Sequence, residues 1–442
     1  MFSRKDLMKL IIPLIIEQLL SVTVGMADGM MVSRVGAEAA VSGVSLVDTI
    51  NILMIGLFGA LATGGAVVSA QFLGRKEEKL ACKAGEQLIT VVLVLSLIIM
   101  AVSLLFSDRI LSLLFGEVST EVMENARIFF YYSALSYPFI ALYNAFAALF
   151  RSMGNSKISM WVSGLMNVIN VLGNVILLFG FGMGVAGSAI ATLIARIIAA
   201  LLMFVLLMNK RHPIHIEKLG GFRPDMIMIR RILQIGVPNG LENSVFQIGK
   251  ILVQGMIAGL GTSAITANAV ASTIGGFGVL PGAAIGLALI TVVGHCVGAG
   301  DYDGVKKYTF KLMKFAYIFM AVINILILCL LPVILWLYKL TDETAAITRS
   351  LMIYHCILAT LIWPLSFALP NSLRAANDVK FTMWISMISM WVWRIAFSYI
   401  LAITLHLGVL GIWIAMTIDW LFRSIFFVIR FLQGKYRKIA LL

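Results

Sequence analysis

The chain has 442 residues, of which 61% are hydrophobic and only 12% are charged. This composition excludes an ordinary soluble domain and indicates a polytopic membrane protein. The formal net charge of +13 would by itself be compatible with a nucleic-acid partner. The basic residues lie between long apolar runs, however, so we attribute them to membrane topology and expect no nucleic acid.

Twelve apolar runs are long enough to cross a bilayer as helices at about 1.5 Å per residue. They cover residues 10–33, 46–72, 88–106, 127–149, 159–181, 185–208, 233–258, 264–297, 314–338, 350–371, 382–404 and 409–432. An even number of spans places both termini on one side. The termini and every second loop carry 25 basic residues, whereas the opposite loops carry 5. By the positive-inside rule we expect both termini in the cytoplasm and the chain in the inner or plasma membrane.

The sequence repeats itself at an offset of 223 to 225 residues. The matching pairs include Pro13 and Pro238, Glu17 and Glu242, Arg151 and Arg374, and Gly184 and Gly408. We therefore predict an all-α fold with twelve transmembrane helices in two six-helix bundles, residues 1–208 and 232–442, joined by a cytoplasmic linker at 209–231. Because six is even, the bundles share one orientation and are related by a pseudo-twofold axis along the membrane normal. Such repeats are typical of transporters that open alternately to either side.

The first span, Leu10–Ser33, contains two acids, Glu17 and Asp28. They are 11 positions apart, about three helical turns, and so lie on roughly the same helix face. A charge inside the membrane costs several kcal/mol unless it is paired or hydrated, which makes each acid a candidate functional residue. The alternative is that one or both acids lie near a headgroup or bond to a neighbouring helix.

Other polar side chains occur within the spans. Asn167, Asn170 and Asn174 lie on one face of the fifth span, which predicts either a hydrated cavity or hydrogen bonds to a partner helix. The further charges in the spans are Arg196, Lys250, Arg394, Asp419 and Arg423. Asp419 and Arg423 are one turn apart, so we expect them to pair with each other in a structural role.

Several motifs, in their order along the chain, resemble the multidrug and toxic compound extrusion (MATE) family. They are Asp28-GMMVSRVG, QFLGRKEEKLACKAG after the second span, LFRSMGNSK before the fifth, NVILLFG with GMGVAGSAIAT, and the second-half counterparts VPNGLENSVFQIGK and VGHCVGAGD. The resemblance covers essentially the whole chain.

The resemblance implies that Asp28 is the cation-coupling residue. The second acid of the family's fifth-span motif is replaced here by Asn174, in Asn170-VLG-Asn174, and a sixth-span threonine matches Thr192. Na⁺ could bind at Asp28, Asn170 and Asn174, because an amide carbonyl coordinates Na⁺ although it cannot carry a proton. Glu17 is a further candidate for coupling.

The glutamate that some family members carry in the seventh span is not matched. Phe246 occupies its place, and Glu242 lies about one turn earlier. Glu242, Phe246 and Asn167 are therefore weaker candidates, for a substrate cleft.

We expect an antiporter that exports amphipathic, often cationic, organic compounds in exchange for H⁺ or Na⁺, with no cofactor besides that ion. Its partners would be small organic substrates and membrane lipids, and the protein would be a monomer. An alternative is a flippase of lipid-linked saccharides, from the wider superfamily that the MATE fold resembles. A channel or a membrane-embedded enzyme is a different class, but the chain has no HExxH, GxSxG or P-loop motif to favour an enzyme.

Overall fold

A computed structural model describes residues 2–35, 38–116, 118–216 and 223–438, and within these residues it contains helices and no strand. The helices are α1 Arg4–Val35, α2 Glu38–Gly74, α3 Glu78–Leu105, α4 Ser107–Phe115, α5 Thr120–Ser152, α6 Ser156–Gly180, α7 Gly184–Leu207, α8 Met226–Ala258, α9 Thr262–Gly298, α10 Tyr302–Leu337, α11 Asp342–Ala375, α12 Val379–Thr404 and α13 Gly408–Leu432. A short 3₁₀ turn follows at Lys435–Lys438.

The twelve predicted spans correspond, in order, to the twelve long helices. Ten of these are long and apolar enough to cross a membrane by length and composition, among the described residues. The other two long helices, α1 and α8, are of similar length, at 32 and 33 residues. The all-α, multi-pass prediction is confirmed. The nine-residue helix α4 was not predicted, because it is too short to produce a span in the apolar pattern.

Three of the long helices contain π-helical segments, where the hydrogen-bond pattern widens. These are Val175–Gly180 in α6, Pro364–Ala368 in α11, and Met390–Ala396 and Ile400–Thr404 in α12. A π segment accommodates one inserted residue. The repeat offset grows from 223 at Arg151/Arg374 to 224 at Gly184/Gly408. At the repeat offset, the π segment of α6 corresponds to Ile400–Thr404. The other π segment of α12, Met390–Ala396, has no counterpart in α6 and accounts for this extra residue.

The turns between helices repeat as well. All four residues with positive φ in the described residues before 226 have a positive-φ counterpart at the repeat offset. The pairs are Lys76 and Gly300, Gly154 and Asn377, Gly182 and His406, and Gly184 and Gly408. The sequence GMGVAG at Gly182 therefore forms a tight turn between two spans, as expected, rather than a dinucleotide-binding loop. The two halves therefore share the same backbone conformation at these turns even where the residue types differ.

The chain divides into two compact units, with the boundary inside α8 between Gly240 and Leu241. In the first unit α5 is the central helix, and its Phe130, Tyr137 and Phe146 are almost completely buried. In the second unit α9 is the central helix, and its small residues let neighbouring helices pack closely. The assignment of 209–231 as a linker between halves 1–208 and 232–442 stays a prediction, and residues 217–222 lie outside the described part.

Candidate functional site

Glu17 on α1 is a buried acid with two partners. Its Oε1 lies 3.2 Å from Nη1 of Arg151 on α5, and its Oε2 accepts a hydrogen bond of 2.8 Å from Oγ of Ser159 on α6. Glu17 is only 7% exposed, so these partners balance a charge that would otherwise be costly to bury. The acid therefore joins three helices of the first unit.

The second unit contains the equivalent pair. Nη2 of Arg374 on α11 donates a 2.7 Å hydrogen bond to Oε1 of Glu242 on α8. Nη1 of Arg374 donates to Oδ1 of Asn371 at 2.7 Å. Since Glu242 and Arg374 are the repeat counterparts of Glu17 and Arg151, the internal repeat preserves an ion pair as well as a fold.

The asparagines of α6 form a hydrogen-bonded chain that reaches α7. Nδ2 of Asn170 donates to Oγ1 of Thr192 at 3.0 Å, and Nδ2 of Asn174 donates to Oδ1 of Asn170 at 3.3 Å. All three asparagines are buried. Nδ2 of Asn167 has no hydrogen-bond partner among the described residues. The structure thus brings together three of the residues proposed from the sequence, Asn170, Asn174 and Thr192.

Position 28 lies in α1, but the side chain of Asp28 is outside the described part of the structure. The neighbouring helix α6 runs parallel to α1. Oγ of Ser156 donates to the carbonyl oxygen of Leu10 at 2.7 Å, and further along Leu20 Cδ1 lies 3.7 Å from where a Cβ on Gly164 would be. Because both helices rise by about 1.5 Å per residue, position 28 is level with a position of α6 near 172. That level falls between Asn170 and Asn174.

A polar network in the first unit was missed from the sequence. Nδ2 of Asn51 on α2 donates to Oδ1 of Asp48 at 3.3 Å and to Oγ of Ser133 at 3.2 Å, and the Tyr137 hydroxyl donates to Oδ1 of Asn51 at 3.1 Å. The available signal was an acid just inside the second apolar run, followed three residues later by an amide. Its proximity to the edge of the run made it resemble a loop residue.

In the second unit, one carboxylate contacts two guanidinium groups. Oδ2 of Asp419 lies 3.2 Å from Nη2 of Arg423, on the same helix α13, and 3.6 Å from Nη1 of Arg394 on α12. Ser389 also donates to Oδ1 of Asp419, at 2.5 Å. The expected pairing of Asp419 with Arg423 is confirmed. The participation of Arg394 could not be inferred from spacing, because Arg394 lies on another helix.

Aromatic rings lie against these charges. Around the Phe246 ring centroid, Nζ of Lys250 lies at 5.0 Å, Cζ of Arg423 at 5.7 Å and Cζ of Arg394 at 5.8 Å. Cζ of Arg423 also lies 4.2 Å from the centroid of Phe367. These distances are within the range of cation–π attraction. We call Lys250, Arg394 and Arg423 the cationic cluster.

The described part of the chain holds no group of three or more His, Cys, Asp or Glu side chains arranged to bind a metal ion. Asn170, Asn174 and Thr192 carry neutral oxygen atoms, which suit hard cations and differ from the His, Cys, Asp and Glu ligands of such a group.

Comparison with known sequences gives one family. The sequence profile described as MatE matches residues 13–176 and again residues 238–400. The starts of the two matches are 225 residues apart and their ends are 224 residues apart. The unit that the family profile describes therefore corresponds to one half of the internal repeat.

Individual relatives align over nearly the whole chain. "Uncharacterized transporter YisQ" of Bacillus subtilis is 31% identical, and the alignment covers 93% of this chain and 90% of that protein. "Probable multidrug resistance protein NorM" of Thermotoga maritima is 26% identical, with 99% and 94% covered. A solved structure described as the outward-facing conformation of a multidrug resistance MATE family transporter of the MOP superfamily superposes with a TM-score of 0.90 at 21% identity, covering 98% of this chain and 97% of that one. The fold is therefore the same from end to end.

Proposed function

Because the chain belongs to the MatE family of transporters, we propose that it is a secondary antiporter that exports amphipathic organic compounds, often cationic, in exchange for H⁺ or Na⁺. The name of the Thermotoga relative, a probable multidrug resistance protein, supports export of this kind. Family membership makes the chain a transporter rather than an enzyme.

The observation that carries the proposal is the chain of oxygen-bearing side chains on α6 and α7, Asn170, Asn174 and Thr192. Along the direction of the parallel helices α1 and α6, Asn170 and Asn174 lie at the same height as position 28. A carboxylate with amide and hydroxyl oxygens beside it would bind Na⁺ through ligands that the ion prefers. Among these four side chains, Asp28 alone can exchange a proton near neutral pH. The coupling ion would therefore bind at Asp28, with the amides and Thr192 completing its shell.

Competition at this site would couple the two flows. A cation bound at Asp28 favours one arrangement of the helices, and a substrate that displaces the cation favours the other. No cofactor beyond the coupling ion is needed for such a cycle. Glu17, the second candidate for coupling, already bonds to Arg151 and Ser159, so we assign it a positioning role for α1.

We further propose that both termini and the segment 209–231 lie in the cytoplasm, and that the protein acts as a monomer among membrane lipids. The excess of basic residues in the loops of that side supports this orientation.

The decisive experiment uses inverted membrane vesicles and a fluorescent organic cation. Vesicles loaded inside with Na⁺, or acidified inside, are compared with vesicles without a gradient. Uptake driven by one of the two gradients is expected, and the effective gradient identifies the coupling ion. Flux that ignores both gradients would indicate a channel instead. Transport of a lipid-linked saccharide without uptake of the cation would favour the flippase alternative.

A further inference from the structure

The cationic cluster carries more positive than negative charge. Lys250, Arg394 and Arg423 surround the Phe246 ring, whereas Asp419 is the one carboxylate that forms an ion pair with any of them in the described part of the chain. The formal excess is therefore two positive charges. The neighbouring acid Glu242 does not reduce this excess, because it is bonded to Arg374.

Some N–H donors of the guanidinium groups in the cationic cluster make no hydrogen bond among the described residues. Among the described residues, Nε of Arg394 and Nε of Arg423 have no hydrogen-bond partner, and Nη1 of Arg394 has only the 3.6 Å ion-pair contact with Asp419. Arg394 is 8% exposed and Arg423 is 3% exposed, so neither can satisfy these donors fully in solvent. Lys250, in contrast, is exposed. Buried donors without partners are rare, and a charged one is especially costly.

The backbone is unusual where it presents two of these side chains. Arg394 lies in the π segment Met390–Ala396, and Phe367 lies in the π segment Pro364–Ala368. Single π segments inside α-helices occur frequently at functional sites.

We propose that the second unit binds the anionic group of an amphipathic compound, a carboxylate, sulfonate or phosphate, between Lys250, Arg394 and Arg423. The free guanidinium donors face an acceptor-only group, to which charge-assisted hydrogen bonds are strong. Phe246 and Phe367 offer apolar surface to the body of the same compound. That the compound is transported rests on the function proposed above. The substrate class then includes organic anions and zwitterions as well as cations.

Binding can be tested without any gradient. The purified chain in phosphatidylcholine nanodiscs is titrated with pyrenebutyrate, an aromatic carboxylate, and with pyrenebutanol, its neutral counterpart, by fluorescence. Lys250→Gln removes an exposed cation and leaves the buried pairs intact. We expect it to weaken binding of pyrenebutyrate by about tenfold and to leave pyrenebutanol unchanged. Arg394→Gln gives a second variant, used where thermal unfolding shows a folded protein.

Arg196→Gln is the matched control, since Arg196 is a membrane-embedded arginine of the first unit whose Nη1 donates to Oγ of Ser136 at 2.6 Å. Equal weakening of both probes by Lys250→Gln, or the same loss in Arg196→Gln, would overturn the proposal. Inorganic phosphate should compete with pyrenebutyrate. If phosphatidylglycerol added to the disc competes and inorganic phosphate does not, the ligand is a lipid headgroup and the proposal of a transported anion fails. Vesicle transport is independent of these titrations, so failure of either proposal is recognised separately.

Discussion

Oε1 of Glu242 lies 2.7 Å from Nη2 of Arg374, and this ion pair joins α8 to α11. The repeat counterpart joins α1 to α5, where Oε1 of Glu17 lies 3.2 Å from Nη1 of Arg151. Both glutamates and Arg374 are buried, and the Arg151 side chain is only 15% exposed. Because the sequences of the two halves have diverged widely, the retention of both pairs indicates that each half needs the same link between its first and fourth long spans.

Glu17→Gln should destabilise the protein strongly, since it takes the charged partner from the largely buried guanidinium of Arg151. Breaking one side of a buried pair typically costs about 3–5 kcal/mol. The double variant Glu17→Gln with Arg151→Gln should cost less than the sum of the two single changes. Thermal unfolding in detergent measures all three variants. Additive losses would show that the pair contributes no coupling energy.

Asp28→Asn should abolish gradient-driven export while the protein remains folded and inserted, because an amide cannot exchange a proton and binds a cation weakly. Export is measured with the fluorescent cation in inverted vesicles, at matched expression. The control is Asp303→Asn, an identical change at a carboxylate whose side chain is 96% exposed and paired with Arg437. Normal export by Asp28→Asn would leave Asp28 as a structural acid.

Asn174→Ala should weaken dependence on Na⁺ specifically, if Na⁺ is the coupling ion. The substitution removes one amide oxygen and breaks the 3.3 Å hydrogen bond that orients Asn170. The concentration of Na⁺ that gives half-maximal export should rise, while any export driven by a pH gradient is retained. An equal loss with both ions would mean that Asn174 only packs the helices together.

The end of the linker is held against α3 by a charged cap. Nζ of Lys83 lies 2.5 Å from Oδ2 of Asp225, and Oδ1 of Asp225 accepts hydrogen bonds from the backbone N–H groups of Met228 and Ile227. The bond from Lys83, followed by the backbone N–H of Met228, lowers the pKa of the Asp225 carboxyl below its usual value. Asp225 N–H also donates to Gln87 at 3.0 Å. Asp225 therefore both caps the N-terminus of α8 and forms an ion pair with Lys83.

Asp225→Asn should keep the cap and lose the ion pair, whereas Asp225→Ala should lose both and be less stable. Since the pKa is lower in the folded protein, the charge stabilises it above the unfolded pKa, about 4. This contribution is lost as the pH falls through the folded pKa. The Tm difference between the native chain and Asp225→Asn should therefore be constant near neutral pH and shrink below about pH 4. A difference that grows with acidity would contradict this assignment.

A cysteine at Lys157 should react with a membrane-impermeant maleimide only from the cytoplasmic side, and a cysteine at Thr120 only from outside. The reason is the distribution of basic residues among the loops. Native cysteines are replaced first, because Cys329 is exposed. Labelling of the Lys157 position from outside would reverse the proposed orientation.

The sequence predicts the spans and the repeat because both depend on patterns along the chain. The twelve apolar runs, and the correspondence of Glu17 to Glu242 at the repeat offset, can be recognised without knowing which residues are neighbours in space. The contact of Arg394 with Asp419 joins two helices, so only the folded chain reveals it. The same holds for Glu17 with Arg151, which are separated by 134 positions. The π segments were equally hidden, since they depend on single inserted residues.

The paired turns have a practical consequence for engineering. Lys76, Asn377 and His406 adopt a left-handed backbone, and in each case the residue at the repeat offset is glycine. A side chain in that conformation costs about 1–2 kcal/mol, a penalty that glycine avoids. One half of the molecule therefore serves as a consensus sequence for the other. Glycine at these three turns should remove the penalty, because the other half of the same polypeptide already has glycine at the equivalent turn.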